Sequence, residues 1–175
     1  MIDNLFYFWA IFNLLIGIWE VYAFINRKQL VLSKDSIWKK ISNGTTTIHT
    51  FWIDAWSEYC KVDSRYIKTY SKYQYVWFFE LLNFVLAILF ILSILYLSSK
   101  KKTIFLKTIL IISIINCFCY YLTLVIEIYN NNNNNNNNNI ILENIKTYAT
   151  TWMIPVYYLI CSIWLIVPTI LYIKL

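Results

Sequence analysis

The sequence predicts an all-α membrane protein with four transmembrane helices. Of its 175 residues, 59% are hydrophobic and 14% are charged, whereas a soluble domain has about 45–50% apolar and about 25% charged residues. The apolar residues are gathered in four long stretches separated by polar segments, and a soluble core of this size could not enclose them. We therefore expect one polytopic domain over residues 1–175.

The charge and the cysteines exclude several classes of function. The bases that produce the net charge of +6 mostly flank the apolar stretches, where they would meet lipid phosphates rather than nucleic acid. His49 and the four cysteines lack the spacing of zinc ligands. Cys60 is expected in a loop and Cys117, Cys119 and Cys161 within apolar stretches, so neither a metal site nor a disulfide is predicted.

The first predicted span, residues 5–25, has the length of a membrane-crossing helix. It lacks the basic start and the small-residue cleavage site of a signal peptide. Asn13, Gly17 and Glu20 fall at i, i+4 and i+7. A helix places such residues on one stripe, which we expect to face neighbouring helices rather than lipid.

Residues 26–74 form a long polar connection with two features of interest. Asn43-Gly44-Thr45 is an acceptor pattern for N-glycosylation, usable if this connection faces the lumen. In Phe51–Tyr66 charges alternate with aromatic residues. This segment is either a membrane-surface connector, with its bases in water, or an ordered segment whose two acids and two bases pair locally, namely Glu58, Lys61, Asp63 and Arg65.

The second and third predicted spans, residues 75–97 and 104–126, are joined by a very short basic connection. Glu80 lies in the second span with Asn83 one turn later on the same face. The middle of the third span carries polar side chains, including Asn116 and Tyr120.

Ten consecutive asparagines, Asn130–Asn139, follow the third span. Such a tract cannot bury apolar surface, so we expect a disordered insert. The fourth predicted span, residues 152–173, carries three chemically distinctive side chains on one face: Tyr157, Cys161 and Trp164.

Four spans place both termini on one side of the membrane. The cluster Lys100–Lys102 is typical of a cytoplasmic connection, so both termini are expected in the cytosol and residues 26–74 in the lumen. The long connection also carries many Lys and Arg residues, which opposes this orientation. The positive-inside rule is weaker for long connections, and we therefore give the short cluster more weight.

Two glutamates lie inside apolar spans, five residues from the same edge of the membrane. At 1.5 Å per residue, Glu20 and Glu80 are each roughly 8 Å inside that edge. No Lys or Arg lies at that depth, so at least one carboxyl is expected to hold a proton. The pair suits a proton donor and acceptor, although each could instead only bond a neighbouring helix. Trp164 is too deep for the interfacial belt and either packs or faces a cation.

The pattern W-x-E-Y-x-K-x-D-S-R-Y, Trp56–Tyr66, resembles the loop signature of the emopamil-binding protein family, whose fold is the EXPERA domain. Ile163–Pro168 is similar to a run in the family's last helix. The resemblance implies a membrane bundle of the endoplasmic reticulum with a sterol cavity. It also implies an isomerase that moves a sterol double bond from the 8 to the 7 position without a soluble cofactor. Glu20 and Glu80 would then shuttle protons, and Trp164 would stabilise the carbocation.

The chain departs from the family pattern at several positions. Ile16 and Cys161 occupy positions where the isomerases have histidine and asparagine, and a third-helix Gly-Asp pair reads Asn116-Cys117. A catalytically silent binder of sterols or cationic amphiphiles is therefore the second hypothesis, and a membrane scaffold the third. The expected partners are a hydrophobic small molecule and membrane lipid, with no nucleic acid, and a homodimer is left open. The candidate ligand-lining residues are Asn13, Asn83, Asn116, Tyr120, Tyr157 and Cys161.

Overall fold

The computed structural model describes residues 4–67, 75–133, 140–149 and 153–175. Within these ranges the chain is helical and forms no strand. Two short 3-10 turns, Arg27–Gln29 and Ser64–Tyr66, accompany the α-helices. The helices are α1 (Asn4–Ile25), α2 (Ile37–Ser42), α3 (Ile48–Cys60), α4 (Val76–Tyr96), α5 (Ser99–Asn133), α6 (Ile140–Tyr148) and α7 (Met153–Lys174).

Among the described residues, four segments are long and apolar enough to cross a membrane: α1, α4, α7 and residues Lys100–Glu127 of α5. This confirms the predicted all-helical fold with four candidate membrane spans. The helices carry many exposed large apolar side chains, including Phe8 on α1 and Leu159 on α7, which are 64% and 69% exposed. Such surfaces are stable when lipid covers them.

The prediction for the asparagine tract is wrong at its start. Asn130–Asn133 form the end of α5 rather than a disordered insert, while residues 134–139 lie outside the described ranges. Extending an existing helix adds one hydrogen bond per residue without a new nucleation step, so α5 can continue past its apolar part. Helix α6, which follows the tract, was not predicted from the sequence.

The chain divides into two compact units. The first contains Met1–Val21, Phe78–Leu122 and Leu159–Leu175. The second contains Tyr22–Trp77 and Thr123–Tyr158.

In the first unit, α1 and α4 run antiparallel. The rings of Phe6 and Phe90 stack with centroids 6.3 Å apart, and further along the same two helices Gly17 lies against Phe84. A Cβ atom at Gly17 would be 2.7 Å from Phe84 Cδ2 and 3.0 Å from Phe84 Cα. Glycine therefore permits the close approach that brings the far ends of these two segments together.

Antiparallel pairing continues through the rest of the first unit. Asn116 on α5 donates from Nδ2 to the carbonyl of Phe79 on α4 at 3.0 Å. Between α5 and α7, Lys107 Nζ lies 5.3 Å from the ring centre of Tyr172. The apolar core of this unit consists of Phe6, Trp9, Ala10, Leu86, Phe90, Ile94, Leu106, Ile109, Leu110 and Leu171.

The second unit is organised around α2 and α3. Ser36 caps α2 by accepting the Lys39 N–H, and Thr47 and Thr50 form a reciprocal capping box at the start of α3. Glu58 Oε1 accepts hydrogen bonds from the Ile37 N–H at 2.8 Å and from Lys61 Nζ at 2.9 Å. This carboxylate thus ties the start of α2 to the end of α3.

The interpretation of Phe51–Tyr66 as a surface connector with its bases in water is wrong. Lys61 is 3% exposed and Arg65 is fully buried. Each base pairs with an acid two or three residues away, so neither buried charge lacks a counterion. Cys60 is also not in a loop: it is the last residue of α3 and is buried.

Candidate ligand-binding site

The two intramembrane glutamates meet in the first unit. Glu20 on α1 and Glu80 on α4 are 4% and 7% exposed, and their carboxyl groups lie close enough to interact. Among the described residues, Glu20 Oε2 has no hydrogen-bond partner. The pair therefore brings two buried carboxyl groups together, and one of their oxygen atoms has no hydrogen-bond partner.

Two asparagines extend this polar cluster across the bundle. Asn83 Nδ2 donates to Glu80 Oε2 at 3.5 Å, a long hydrogen bond. Asn83 Oδ1 in turn accepts from Asn116 Nδ2 at 2.8 Å. Asn116 also bonds the Phe79 carbonyl, which fixes its amide group. The arrangement orients the Asn83 amide and keeps a donor directed at Glu80.

A second polar contact holds the deep tryptophan. Trp164 Nε1 donates to Asn13 Oδ1 at 3.0 Å, and Asn13 Nδ2 donates to the Trp9 carbonyl one turn back on α1 at 2.9 Å. The indole ring lies 6.1 Å from Trp9 and 5.6 Å from Phe12, measured between ring centres. Both the hydrogen bond and the ring contacts restrict the orientation of Trp164.

A small cavity lies between these groups. Its volume is 20 Å³, which is room for about one water molecule. Three polar side chains reach it, those of Asn13, Asn83 and Ser113, together with the two indoles Trp9 and Trp164. Its remaining lining is apolar: Leu86, Ala87, Phe90, Ile109 and Leu110.

The other predicted lining residues are placed differently. Tyr120 is buried with its ring 6.0 Å from that of Phe79. Cys161 is buried, and its carbonyl lies 4.0 Å from Cys117 Sγ. Both belong to the first unit but do not line the cavity.

Tyr157 belongs to the second unit. Its hydroxyl lies 3.4 Å from Asp63 Oδ2 and 3.4 Å from the Tyr59 hydroxyl. The sequence prediction that grouped it with Trp164 on one helix face considered α7 alone. Its contacts are with the ordered segment that precedes α4.

Asp63 and Arg65 form the charged centre of the second unit. Arg65 donates from Nε to Asp63 Oδ1 at 2.8 Å and from Nη2 to Oδ2 at 2.7 Å, while its Nη1 donates to Thr123 Oγ1 at 2.9 Å. Burial, together with the nearby charge of Asp63, raises the pKa of the Cys60 thiol well above its ordinary value. Because these charged groups are satisfied by each other, we interpret the cluster as structural.

Sequence reasoning missed Trp9 and did not include Ser113 among the lining residues. The helical period of the sequence nevertheless indicates both residues. Trp9 is one turn before Asn13 on the polar stripe of α1, and Ser113 is one turn before Asn116 on α5. An aromatic residue in an apolar span is ordinarily assigned to packing, which is why the signal at Trp9 is weak.

The first unit thus presents a buried carboxyl pair, oriented amides and a fixed indole, and the indole lines a small cavity that the two carboxyl groups do not line. These groups can exchange a proton and can stabilise positive charge on a bound molecule. No family model, curated protein or solved structure matches the chain.

Proposed function

We propose that this protein is a sterol isomerase of the endoplasmic reticulum membrane that moves a ring double bond from the 8 to the 7 position. The observation that carries the proposal is the pair of buried, neighbouring carboxyl groups of Glu20 and Glu80 inside the bundle. The resemblance of Trp56–Tyr66 to the emopamil-binding protein family adds the substrate class.

The carboxyl pair suits the chemistry of a double-bond shift. The protonated carboxyl would donate its proton to one carbon of the double bond, which leaves a carbocation on the other carbon. The ionised carboxylate would then remove a proton from the adjacent carbon, and the new double bond forms. The sterol gains one proton and loses another, so the carboxyl pair ends with the same total charge and no cofactor is consumed.

Trp164 would stabilise the carbocation through its electron-rich ring. Its hydrogen bond to Asn13 holds that ring at the cavity. The cavity volume of 20 Å³ is far below the volume of a ligand pocket, which is about 300–1,000 Å³. A sterol is therefore much too large for the cavity. Substrate binding therefore requires the helices that line the cavity to separate.

A specific observation favours the second hypothesis, a binder without turnover. The amide of Asn13 bonds the Trp164 indole, and Ile16 stands where the family isomerases have histidine. Neither side chain can carry a proton at neutral pH. In this case the acidic pair would bind the ammonium group of a cationic amphiphile, or the site would hold a sterol unchanged.

The test is complementation of a yeast strain that lacks its sterol isomerase, with the sterols profiled and expression measured. The set comprises wild type, Glu80→Gln, Glu20→Gln and Ile16→His. Glu127→Gln is the matched control, because Glu127 belongs to the second unit and lies outside the carboxyl pair.

An isomerase predicts that wild type and Glu127→Gln convert 8-ene to 7-ene sterols, while Glu20→Gln and Glu80→Gln do not. If every variant accumulates 8-ene sterols although well expressed, the enzymatic proposal is wrong. Restoration of conversion by Ile16→His alone would identify the native chain as a binder that lacks one proton carrier.

A further inference from the structure

The acceptor pattern Asn43-Gly44-Thr45 lies directly after α2, which ends at Ser42. All three residues are exposed. Modification of an asparagine side chain requires that an enzyme reach its amide nitrogen and that the product have room. Exposure satisfies the first of these conditions.

The local backbone forms a tight turn that leaves space around the asparagine. Gly44 has a φ of 67°, the left-handed conformation that glycine adopts without strain. A Cβ atom built on Gly44 would meet no other atom within 4 Å. The turn is therefore open at Gly44, and the Asn43 side chain beside it is exposed.

Hydrogen bonds to the carbonyls of the preceding helix also hold the turn in place. The Gly44 N–H donates to the Ile41 carbonyl at 3.0 Å, and the Thr45 N–H donates to the Lys40 carbonyl at 2.9 Å. Thr45 Oγ1 donates to the same Lys40 carbonyl at 2.9 Å. These bonds use the backbone and the threonine hydroxyl, and they leave the exposed Asn43 side chain outside the network.

Along the sequence, this turn lies well away from both adjoining spans, α1, which ends at Ile25, and α4, which begins at Val76. The cluster Lys100–Lys102 lies in the first turn of α5, and one candidate span, α4, separates it from the Asn43 turn. A helix that crosses the membrane once puts the residues before and after it on opposite sides. A short lysine cluster is typical of the cytoplasmic side, which would place the turn in the lumen, where glycosylation takes place.

We propose that Asn43 is N-glycosylated and that α2 and α3 therefore face the lumen. The donor is an oligosaccharide linked to a polyprenyl diphosphate. A bond forms between Asn43 Nδ2 and the anomeric carbon of the first sugar, while the bond from that carbon to the diphosphate oxygen breaks. The amide loses one proton, and the lipid diphosphate leaves with the bonding electrons. This inference does not depend on the proposed isomerase activity.

The experiment is expression of the full chain in glycosylating microsomal membranes, with and without an amidase that removes N-linked glycans. The variants are Asn43→Gln and Thr45→Ala, which destroy the acceptor pattern, and Thr45→Ser, which keeps its hydroxyl. Thr46→Ala is the matched control, because it removes a neighbouring threonine and leaves the pattern intact.

We expect one slower-migrating form of wild type, Thr45→Ser and Thr46→Ala that the amidase returns to the position of Asn43→Gln. Thr45→Ala should migrate with Asn43→Gln. If wild type and Asn43→Gln migrate together under all conditions, while a glycoprotein expressed in the same membranes is shifted, the proposal is overturned. A shift that persists in Asn43→Gln would overturn it as well.

Discussion

Asp63 and Arg65, two residues apart, form a two-pronged ion pair in which neither side chain is exposed. The carboxylate lies across the guanidinium fork, and Thr123 takes the remaining nitrogen. This geometry satisfies the buried guanidinium without water. The pair belongs to the sequence pattern that first suggested a family resemblance, and its position indicates that the pattern serves the stability of the second unit.

Asp63→Ala should therefore unfold the second unit readily. Removing one partner leaves Arg65 buried and uncompensated, which costs about 3–5 kcal/mol of unfolding free energy. Arg65→Lys should also be destabilising, because it keeps the charge but loses the fork. The measurement is the Tm of the detergent-solubilised protein. Lys39→Ala is the control, since it breaks an exposed pair, and it should leave the Tm unchanged. An Asp63→Ala variant as stable as wild type would contradict this account.

The carboxyl pair should react with a hydrophobic carbodiimide at neutral pH. Such reagents modify protonated carboxyl groups, and two carboxyl groups buried side by side, as Glu20 and Glu80 are, favour a state in which one holds a proton. We expect labelling at one of these two residues, located by mass spectrometry of peptides, and no labelling in the Glu20→Gln, Glu80→Gln double variant. Labelling only at Glu127 would show that the pair is ionised.

Gly17→Val should disrupt the contact of α1 with α4. Its side chain would overlap the backbone of Phe84, and overpacking of this kind costs about 1–3 kcal/mol. Leu15→Val is the matched control, because Leu15 is 61% exposed on α1. Thermal unfolding should show a lower Tm for Gly17→Val alone. Equal Tm values for the two variants would mean that the helices are not in close contact at Gly17.

Asn13 and Trp164 should be energetically coupled. Asn13→Leu leaves the indole N–H without its acceptor, at a cost of about 1–3 kcal/mol. In Trp164→Phe the donor is gone, so the further change Asn13→Leu should cost less there than in wild type. Denaturant unfolding of the two single variants and the double variant measures the difference. Additive effects would show that the hydrogen bond contributes nothing to stability.

Cys60 should resist alkylation in the folded protein. Burial, and secondarily the charge of Asp63, raises the pKa of its thiol, and the reactive thiolate is therefore scarce at pH 8. Unfolding restores the ordinary thiol pKa and exposes the sulfur. The test uses a chain whose other cysteines are replaced by serine, with the added variant Ser42→Cys as an exposed control. Maleimide should modify the control at once and Cys60 only after denaturation.

Much of the site could be predicted from neighbours along the chain. The matched depth of Glu20 and Glu80 follows from counting residues within two apolar spans. The polar stripe of α1 follows from the helical period, and its members indeed meet other helices: Asn13 contacts Trp164, Gly17 contacts Phe84 and Glu20 contacts Glu80. The pairing of Lys61 with Glu58 is likewise a local relationship.

The sequence by itself determined the four helices that are long and apolar enough to span a membrane, because hydrophobicity sustained over about 20 residues is typical of a helix that crosses a bilayer. Only the tertiary structure decided which polar groups are buried. Arg65 is enclosed rather than exposed to water, and Tyr157 joins Asp63 although the period of its helix groups it with Trp164. The physical reason is that periodicity specifies the direction of a side chain about its own helix. Its partner is supplied by segments distant in sequence, which meet only when the chain packs.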